Sequence, residues 1–390
     1  MRQLRCAATV LAVAIGLVAA QPAAGQVTVM TQNLYIGFDI EQYAVDLTAE
    51  PFNVAALTTA AYEQVLSTDF ASRAAAFARQ VEATQPAIVG LQEVALYRSD
   101  PFDGFGAPHA TTVEIDFLEL TLDALADRGL HYAAVATVEN ADAEFPRITG
   151  YDELNNPLVE DIRLTDRDAI LVRTDLPPGG FAAWNPQAAN FANAASLLGV
   201  DLPRGWVSVD VQAGPLAFRV VSTHLDNDPS LQLAQAGELL GPGSPSDTDL
   251  PVVLIGDFNS RADGTGTATY AELLASGFAD AWTMTHGDEA GYTWGHDAGL
   301  LNTESTFTER IDLVLLGGTL QATFAEIVGE ELADRTPSGL WLSDHAGVVA
   351  TIVPEPGSLT LAAVGAGVFW LRRRQTRLAD SGMGWTRRTK

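Results

Sequence analysis

The stretch PVVLIGDFNS, residues 251–260, decides the fold. An apolar run from Pro251 to Ile255 breaks at once into Gly256-Asp257-Phe258-Asn259. A run this short, bounded by turn residues, reads as a buried strand that ends on oxygen-bearing side chains. The same arrangement recurs along the chain. Val27–Leu34 (VTVMTQNL) alternates apolar and polar residues and reaches Asn33 at its end, and Ala87–Leu91 runs into Gln92-Glu93. Ala217–Ser222 runs into His224 and Asp226, Ile311–Leu316 carries Asp312 at its start, and Gly347–Val353 follows Asp344-His345. Further strands are expected at Ala133–Val138, Ala169–Arg173 and Val207–Val211. Helical spacing predicts helices over Phe70–Ala83 and Asp116–Arg128, and Gly, Pro, Asn and Asp mark loops at 97–112, 139–161, 177–193 and 241–249. Many strands, few helices and one continuous series of core segments predict an α/β chain with two packed sheets flanked by helices, undivided over 26–353.

Composition removes several classes of chemistry. The one Cys, Cys6, excludes a disulfide framework, a thiolate zinc site and a catalytic thiol. The one Lys, Lys390, excludes a Lys-bearing phosphate loop and Schiff-base catalysis. Net charge is -27 in 390 residues, and much of the basic charge sits at the ends: Arg2 and Arg5, then Arg372, Arg373, Arg374, Arg377, Arg387, Arg388 and Lys390. The stretch between is more acidic still. It lacks the basic footprint of a tight nucleic-acid binder, although a small metal-screened phosphate site is compatible with it.

Both ends read as addresses. Residues 1–25 combine Arg2 and Arg5, an apolar run and Ala23-Ala24-Gly25, the pattern of a signal peptide. At the other end, Val353-Pro354-Glu355-Pro356-Gly357 precedes an apolar segment from Ser358 to Leu371 and then Arg372-Arg373-Arg374. That segment is shorter than the roughly 20 residues of a relaxed spanning helix. Residues 354–374 resemble a PEP-CTERM sorting signal, which implies processing by an exosortase, transient membrane association and delivery to the surface or exterior of a Gram-negative bacterium. The basic tail 375–390 departs from that pattern, and an ordinary C-terminal anchor is the alternative.

The strand-end residues suit one kind of chemistry. Mg²⁺ prefers hard oxygen ligands and retains several waters, so one or two carboxylates and an amide suffice to hold it. Phosphodiester hydrolysis needs an activated water, neutralised non-bridging oxygens and assistance to the leaving oxygen. His345 held by a carboxylate could serve the water, and His224 and Asn259 could donate to phosphate oxygens. Taken singly, each of these residues also has a bland role as a turn, cap or surface pair.

Six blocks in order carry a resemblance: Thr31-Gln32-Asn33-Leu34, Leu91-Gln92-Glu93, Ser222-Thr223-His224-Leu225, Gly256-Asp257-Phe258-Asn259-Ser260, Arg310-Ile311-Asp312-Leu313 and Ser343-Asp344-His345. Together they resemble the endonuclease/exonuclease/phosphatase superfamily of deoxyribonucleases, sphingomyelinases and phosphatases. The resemblance implies a four-layer α/β/β/α sandwich of two mixed sheets and a Mg²⁺-dependent phosphodiesterase, with Mn²⁺ or Ca²⁺ as substitutes. It implies metal binding by Asn33, Glu93 and Asp344. Catalysis falls to His224, Asp257, Asn259, Asp312 and His345, with either Asp257 or His345 as the base. The implied substrate is a phosphoester, a nucleic acid or a phospholipid headgroup, and a monomer is expected. A non-catalytic acidic, ion-binding surface or matrix protein is the competing reading. Arg167 or Asp168 could line the site or form a structural pair, and Arg163 reads as a surface charge. Tyr292-Thr293-Trp294 reads as core packing, as do Phe102, Phe105 and Phe181–Trp184, which would otherwise suit a lipid-facing loop. His109, His131, His286 and His296 read as ordinary surface or hydrogen-bonded histidines.

Overall fold

The structure, a computed structural model, describes residues 25–177, 179–197 and 199–355. The leader to residue 24, the apolar segment after Glu355 and the basic tail therefore lie outside the described residues. No helix among the described residues is long and apolar enough to cross a membrane.

The chain first builds one sheet, then a second, then returns to the first. β1 (Val27–Asn33), β2 (Ile88–Gln92), β3 (Leu96–Pro101), β4 (Thr112–Asp116), β5 (Tyr132–Tyr151) and β6 (Pro157–Arg173) form most of the first sheet. β7 (Phe181–Asn190) enters the second, and β8 (Ala195–Leu197) and β9 (Val200–Leu202) make a separate two-stranded unit. β10 (Gly205–Ala213), β11 (Leu216–His224), β12 (Val252–Asp257), β13 (Phe278–Asp280) and β14 (Asp312–Gly317) complete the second sheet. β15 (Leu320–Val328) and β16 (Gly347–Pro354) rejoin the first, where β16 lies antiparallel to β1.

The period-2 alternation of the strands splits their side chains between layers. Val253 and Ile255 of β12 and Val314 and Leu316 of β14 face the first sheet, meeting Val29, Ile88, Ile170 and Ala350 in an apolar interlayer. Met30, Val89, Leu91 and Leu171 point the other way, onto α3 (Phe70–Thr84) and α4 (Phe117–Asp127) through Phe77, Val81, Phe117 and Leu125. Leu254, Leu313 and Leu315 similarly cover α5 (Pro229–Leu240) and α6 (Thr269–Ala275). The result is the α/β/β/α sandwich. Asp69, Asp116 and Asp228 cap α3, α4 and α5 by accepting from first-turn amides. At Gly90 the sheets approach closely, since a Cβ there would lie 2.6 Å from Ser222 Oγ and 2.7 Å from Ile255 Cδ1.

Two expected loops are largely strand, and a third is strand at its two ends. Residues 139–161 belong mainly to the β5–β6 hairpin, 177–193 contain β7, and 97–112 contain β3 and the start of β4. Their charged and Gly/Pro-rich character reflects exposure: β7 is solvent-facing over most of its length, and a ladder of backbone hydrogen bonds needs no apolar side chains. The helices α1 (Ile40–Ala49), α2 (Val54–Ser67) and α5 were not expected; α1 buries only Leu47 and α2 only Thr58, Tyr62 and Val65, which weakens their periodic signal.

Candidate active site

Each sheet contains one parallel pair, β1 with β2 and β11 with β12, and both pairs end at the same edge of the sandwich. Asn33 sits opposite Gln92 at one pair's end, and His224 sits opposite Asp257 at the other's. Left-handed backbone at Glu93 (φ 55) and Asn259 (φ 49) turns the chain sharply after β2 and β12. Asn33 closes the gap between sheets: its Nδ2 donates to Asp257 Oδ2 and to Glu93 Oε1, each at 3.1 Å. Glu93 Oε2 in turn accepts from Ile36 N at 2.7 Å.

Asp257 Oδ2 is the hub. It lies 3.4 Å from His224 Nε2 and 3.7 Å from His345 Nε2, while Asp257 Oδ1 accepts from Asn259 N at 2.9 Å. His345 Nδ1 is 2.9 Å from Asp312 Oδ2, and its Nε2 is 3.9 Å from Asp344 Oδ1. Asn259 Nδ2 lies 3.2 Å from His224 Nε2 and donates to Leu225 O at 2.9 Å. The structure thus joins all eight expected residues in one contiguous network. Asp226, another strand-end carboxylate, has a local role instead, accepting from Asp228 N at 2.9 Å in the turn before α5.

Two guanidinium groups support this acidic set. Arg73, fully enclosed in α3, donates to Leu34 O, Tyr35 O, Thr68 O and Leu342 O, tying the loops after β1 and before Asp344 together. Burial lowers its pKa to about 10, which leaves it charged at neutral pH. Arg204 lies 3.1 Å from both Asp166 Oδ2 and His224 Nδ1. A guanidinium only donates, so His224 Nδ1 accepts and Nε2 carries the proton. Burial, with Arg204 and His345, keeps the His224 pKa well below its usual range, so this ring is neutral. Neither arginine stood out in the sequence. The spacing Phe70, Arg73, Ala74, Phe77 would have placed Arg73 on the buried face, whereas Arg204 follows Pro203 in a segment with no periodic signal.

The remaining polarity is similarly directed. Burial, opposed by His345 and reinforced by Asp312, lifts Asp257 to about 7. Burial, opposed by His345 and reinforced by Glu93, lifts Asp344 to about 6. Burial works against a charged His345, yet Asp312, Asp344 and Asp257 hold its pKa well above the usual value, so it is an imidazolium at neutral pH. Three carboxylates of one network thus crowd around one cationic ring. Asp257, Asp312 and His345 each present a donor atom within 4.8 Å of the others. Beside that triad, the Glu93 charge raises Asp344, and these mutually repelling hard oxygens, with the Asn33 amide between Glu93 and Asp257, fit a divalent cation.

Neighbouring residues divide between site and scaffold. Arg167 forms a structural pair with Asp116 and donates to Val94 O at 2.8 Å, and Arg163 is engaged by Asp142 at 2.8 Å. Asp168 is buried and bonded to Asn140 Nδ2 at 3.0 Å, beside Asp166. Core packing fails for Trp294: it is 36% exposed and its ring centroid stands 6.4 Å from that of His345. A backbone bridge to His345 holds it at the rim. Phe105, at 78% exposed, and Trp184, at 44%, are also outside the core.

Comparison with known proteins gives a consistent family and fold. Residues 52–345 match the family model of the Endonuclease/Exonuclease/phosphatase family. An endonuclease/exonuclease/phosphatase family protein from Bacteroides thetaiotaomicron superposes with a TM-score of 0.51 at 15% identity, covering 85% of this chain and 99% of that one. Truncated TDP2 from Caenorhabditis elegans gives a TM-score of 0.46 at 18% identity, covering 84% of this chain and 97% of that one. A mannosyl-6-phosphatase from Bacteroides thetaiotaomicron gives 0.48 at 16% identity, covering 84% and 99%. Among curated proteins there is no match.

Proposed function

Because the chain belongs to the Endonuclease/Exonuclease/phosphatase family, we propose that it is an exported, Mg²⁺-dependent phosphodiesterase whose active site centres on Asp257. The observation that carries this reading is the position of Asp257 Oδ2, within 3.7 Å of both His224 and His345 and hydrogen-bonded to Asn33. Asn33, Glu93 and Asp344 would hold the divalent ion. When bound, that ion supplies charge neutralisation for the phosphoryl and leaving oxygens.

The base is Asp257. Its pKa of about 7 matches proton acceptance near neutrality, whereas His345 already carries its proton. Asp257 Oδ2 takes a proton from the attacking water as the water oxygen bonds to phosphorus; the bond from phosphorus to the ester leaving oxygen breaks, and that oxygen departs and takes up a proton from solvent. The Nε2–H of His224 donates a hydrogen bond to a non-bridging oxygen, and Asn259 Nδ2, 3.2 Å from that nitrogen, is a second donor beside it. His345, held by Asp312, places positive charge where negative charge develops.

The net charge of -27 favours a small phosphodiester or a lipid headgroup over a long nucleic acid, because duplex affinity rests on Lys and Arg contacts. Export rests on the Arg2/Arg5 leader pattern, and exosortase processing, transient membrane association and a monomeric state rest on sequence features alone. The test is a substrate panel for the purified chain with Mg²⁺: sphingomyelin and phosphatidylcholine vesicles, inositol phosphates, dinucleotides, RNA and plasmid. Turnover of a small diester or headgroup at least tenfold faster per site than plasmid nicking is expected. Plasmid as the preferred substrate would reverse the substrate assignment, and silence across the panel would favour a non-catalytic acidic surface protein.

A further inference from the structure

A second set of titratable residues lies on the β5–β6 hairpin, away from the cleft. Asp161 on β6 is seven residues from Asp168, roughly 23 Å at the rise of a strand. Over it lies the loop between β3 and β4, carrying Asp103 and His109. Glu144 of β5 holds that loop down: its Oε2 accepts from His109 N at 2.9 Å and Ala110 N at 2.7 Å. Its Oε1 is 2.8 Å from His109 Nδ1.

This last contact fixes the ring. With Nδ1–H donated to Glu144, a neutral His109 turns a bare Nε2 lone pair toward Asp161 Oδ2, 3.8 Å away. That separation exceeds a hydrogen bond. Asp161 is 2% exposed, and its Oδ2 is enclosed without any hydrogen-bond partner. A buried anionic oxygen left unpaired beside a nitrogen lone pair is costly. Asp103 completes the group: its Oδ1 lies 3.7 Å from His109 Nδ1, and one donor atom each from Asp103, His109 and Asp161 lies within 4.8 Å of the others. A carboxylate behind a histidine whose far nitrogen faces a further carboxylate is the arrangement that prepares imidazole as a metal ligand.

We propose that Asp103, His109 and Asp161 form a second cation site, taking a divalent transition ion of the zinc class, with Glu144 orienting the histidine, and that the ion clips the 102–111 loop onto the hairpin. The imidazole ligand selects this class over Mg²⁺ or Ca²⁺, which take oxygen. Three protein ligands leave one position for water in a four-coordinate site. The site is independent of the phosphodiesterase reading, since none of its residues belongs to the cleft.

The test is titration of the metal-stripped full chain with Zn²⁺, followed calorimetrically for the wild type, His109→Gln, Asp161→Asn and, as a cleft control, Glu93→Gln. His109→Gln and Asp161→Asn should each bind one equivalent fewer than the wild type, and Glu93→Gln should keep the hairpin equivalent. In wild-type protein the His109 Nε2 resonance should shift on zinc addition, and hydrogen exchange across 102–111 should slow at least tenfold. Equal stoichiometry in all four proteins would overturn the site. So would a His109 that is doubly protonated at neutral pH and unmoved by zinc, which would make it an imidazolium bridge between Glu144 and Asp161.

Discussion

Asp257 and Asp312 are direct cross-strand partners in the antiparallel β12–β14 pair, and each is 1% exposed. Like charges placed opposite each other destabilise a sheet. Here His345 answers them, with Nδ1 at 2.9 Å from Asp312 and Nε2 at 3.7 Å from Asp257. The sheet register thus builds a carboxylate–imidazolium–carboxylate array before any substrate arrives. Asp312 anchors the ring at Nδ1 and Asp257 faces its Nε2.

Removing the cation from that array should cost both activity and stability. His345→Ala is expected to lower kcat by about 10³-fold or more, the scale of a lost transition-state charge. It should also lower the thermal midpoint, because two facing buried carboxylates lose their counter-charge. Asp312→Asn should lower kcat by about 10²-fold while keeping the midpoint closer to wild type. Steady-state kinetics and calorimetry on the two variants check this, and a His345→Ala enzyme within tenfold of wild type contradicts the assigned role.

The carboxylate shifts set a pH dependence for metal-free protein. Asp257, lifted to about 7, and Asp344, lifted to about 6, bind protons more tightly folded than unfolded, where the value is about 3.9. Their effect is to reduce stability as pH rises toward 7. His345, also raised, has the same sign: its contribution is present below the unfolded value and is lost as pH climbs through the folded one. His224, depressed, acts oppositely but only as pH falls below its unfolded value of about 6.5. In EDTA the thermal midpoint should therefore fall between pH 6.5 and 8. Excess Mg²⁺ should reverse the fall, adding about 2.7 kcal/mol at a hundredfold excess over Kd, and Glu93→Gln should lose that gain. A midpoint that rises over this range in EDTA contradicts the assignment.

Gly256 positions the central carboxylate through backbone contact alone. Its φ is 148°, and a Cβ there would lie 1.9 Å from Thr223 O on the parallel neighbour. No side-chain rearrangement can relieve a clash with a backbone carbonyl. Gly256→Ala should cost about 3 kcal/mol or more and displace Asp257 from Asn33. Loss of soluble protein, or a midpoint lower by several degrees with impaired turnover, is the expected outcome.

Arg204 should prove a positioning residue through His224. Arg204→Met removes the donor that keeps His224 Nδ1 unprotonated, and is expected to lower kcat by about 10–100-fold with little change in KM. It should also raise the His224 pKa, since Arg204 is one cause of its depression. A histidine titration by NMR reads that shift directly. A purely structural Arg204 would leave it in place.

Much of this was legible in the sequence because the site is built at strand ends. An apolar run that stops on Asn33, Glu93, His224 or Asp257 declares both the strand and the cargo, and strand geometry then brings the cargo to one edge. Arg204 was not legible, since its role depends on the approach of β6 to the segment before β10 and leaves no local pattern. Asp161 was hidden in the same way, inside a hairpin arm whose polarity resembled a loop. Trp294 was misplaced as core because an aromatic in a Tyr-Thr-Trp stretch reads as packing; its exposure and its distance from the His345 ring place it at the rim.

The most direct test of the central claim is hydrolysis of a simple phosphodiester by the full chain, measured with Mg²⁺, with EDTA, and with Asp257→Asn. We predict turnover with Mg²⁺ that is abolished by EDTA and reduced at least 10³-fold in Asp257→Asn, although that variant keeps the wild-type thermal midpoint or exceeds it. Metal-independent turnover, or an Asp257→Asn enzyme as fast as wild type, would contradict a cleft organised around that carboxylate.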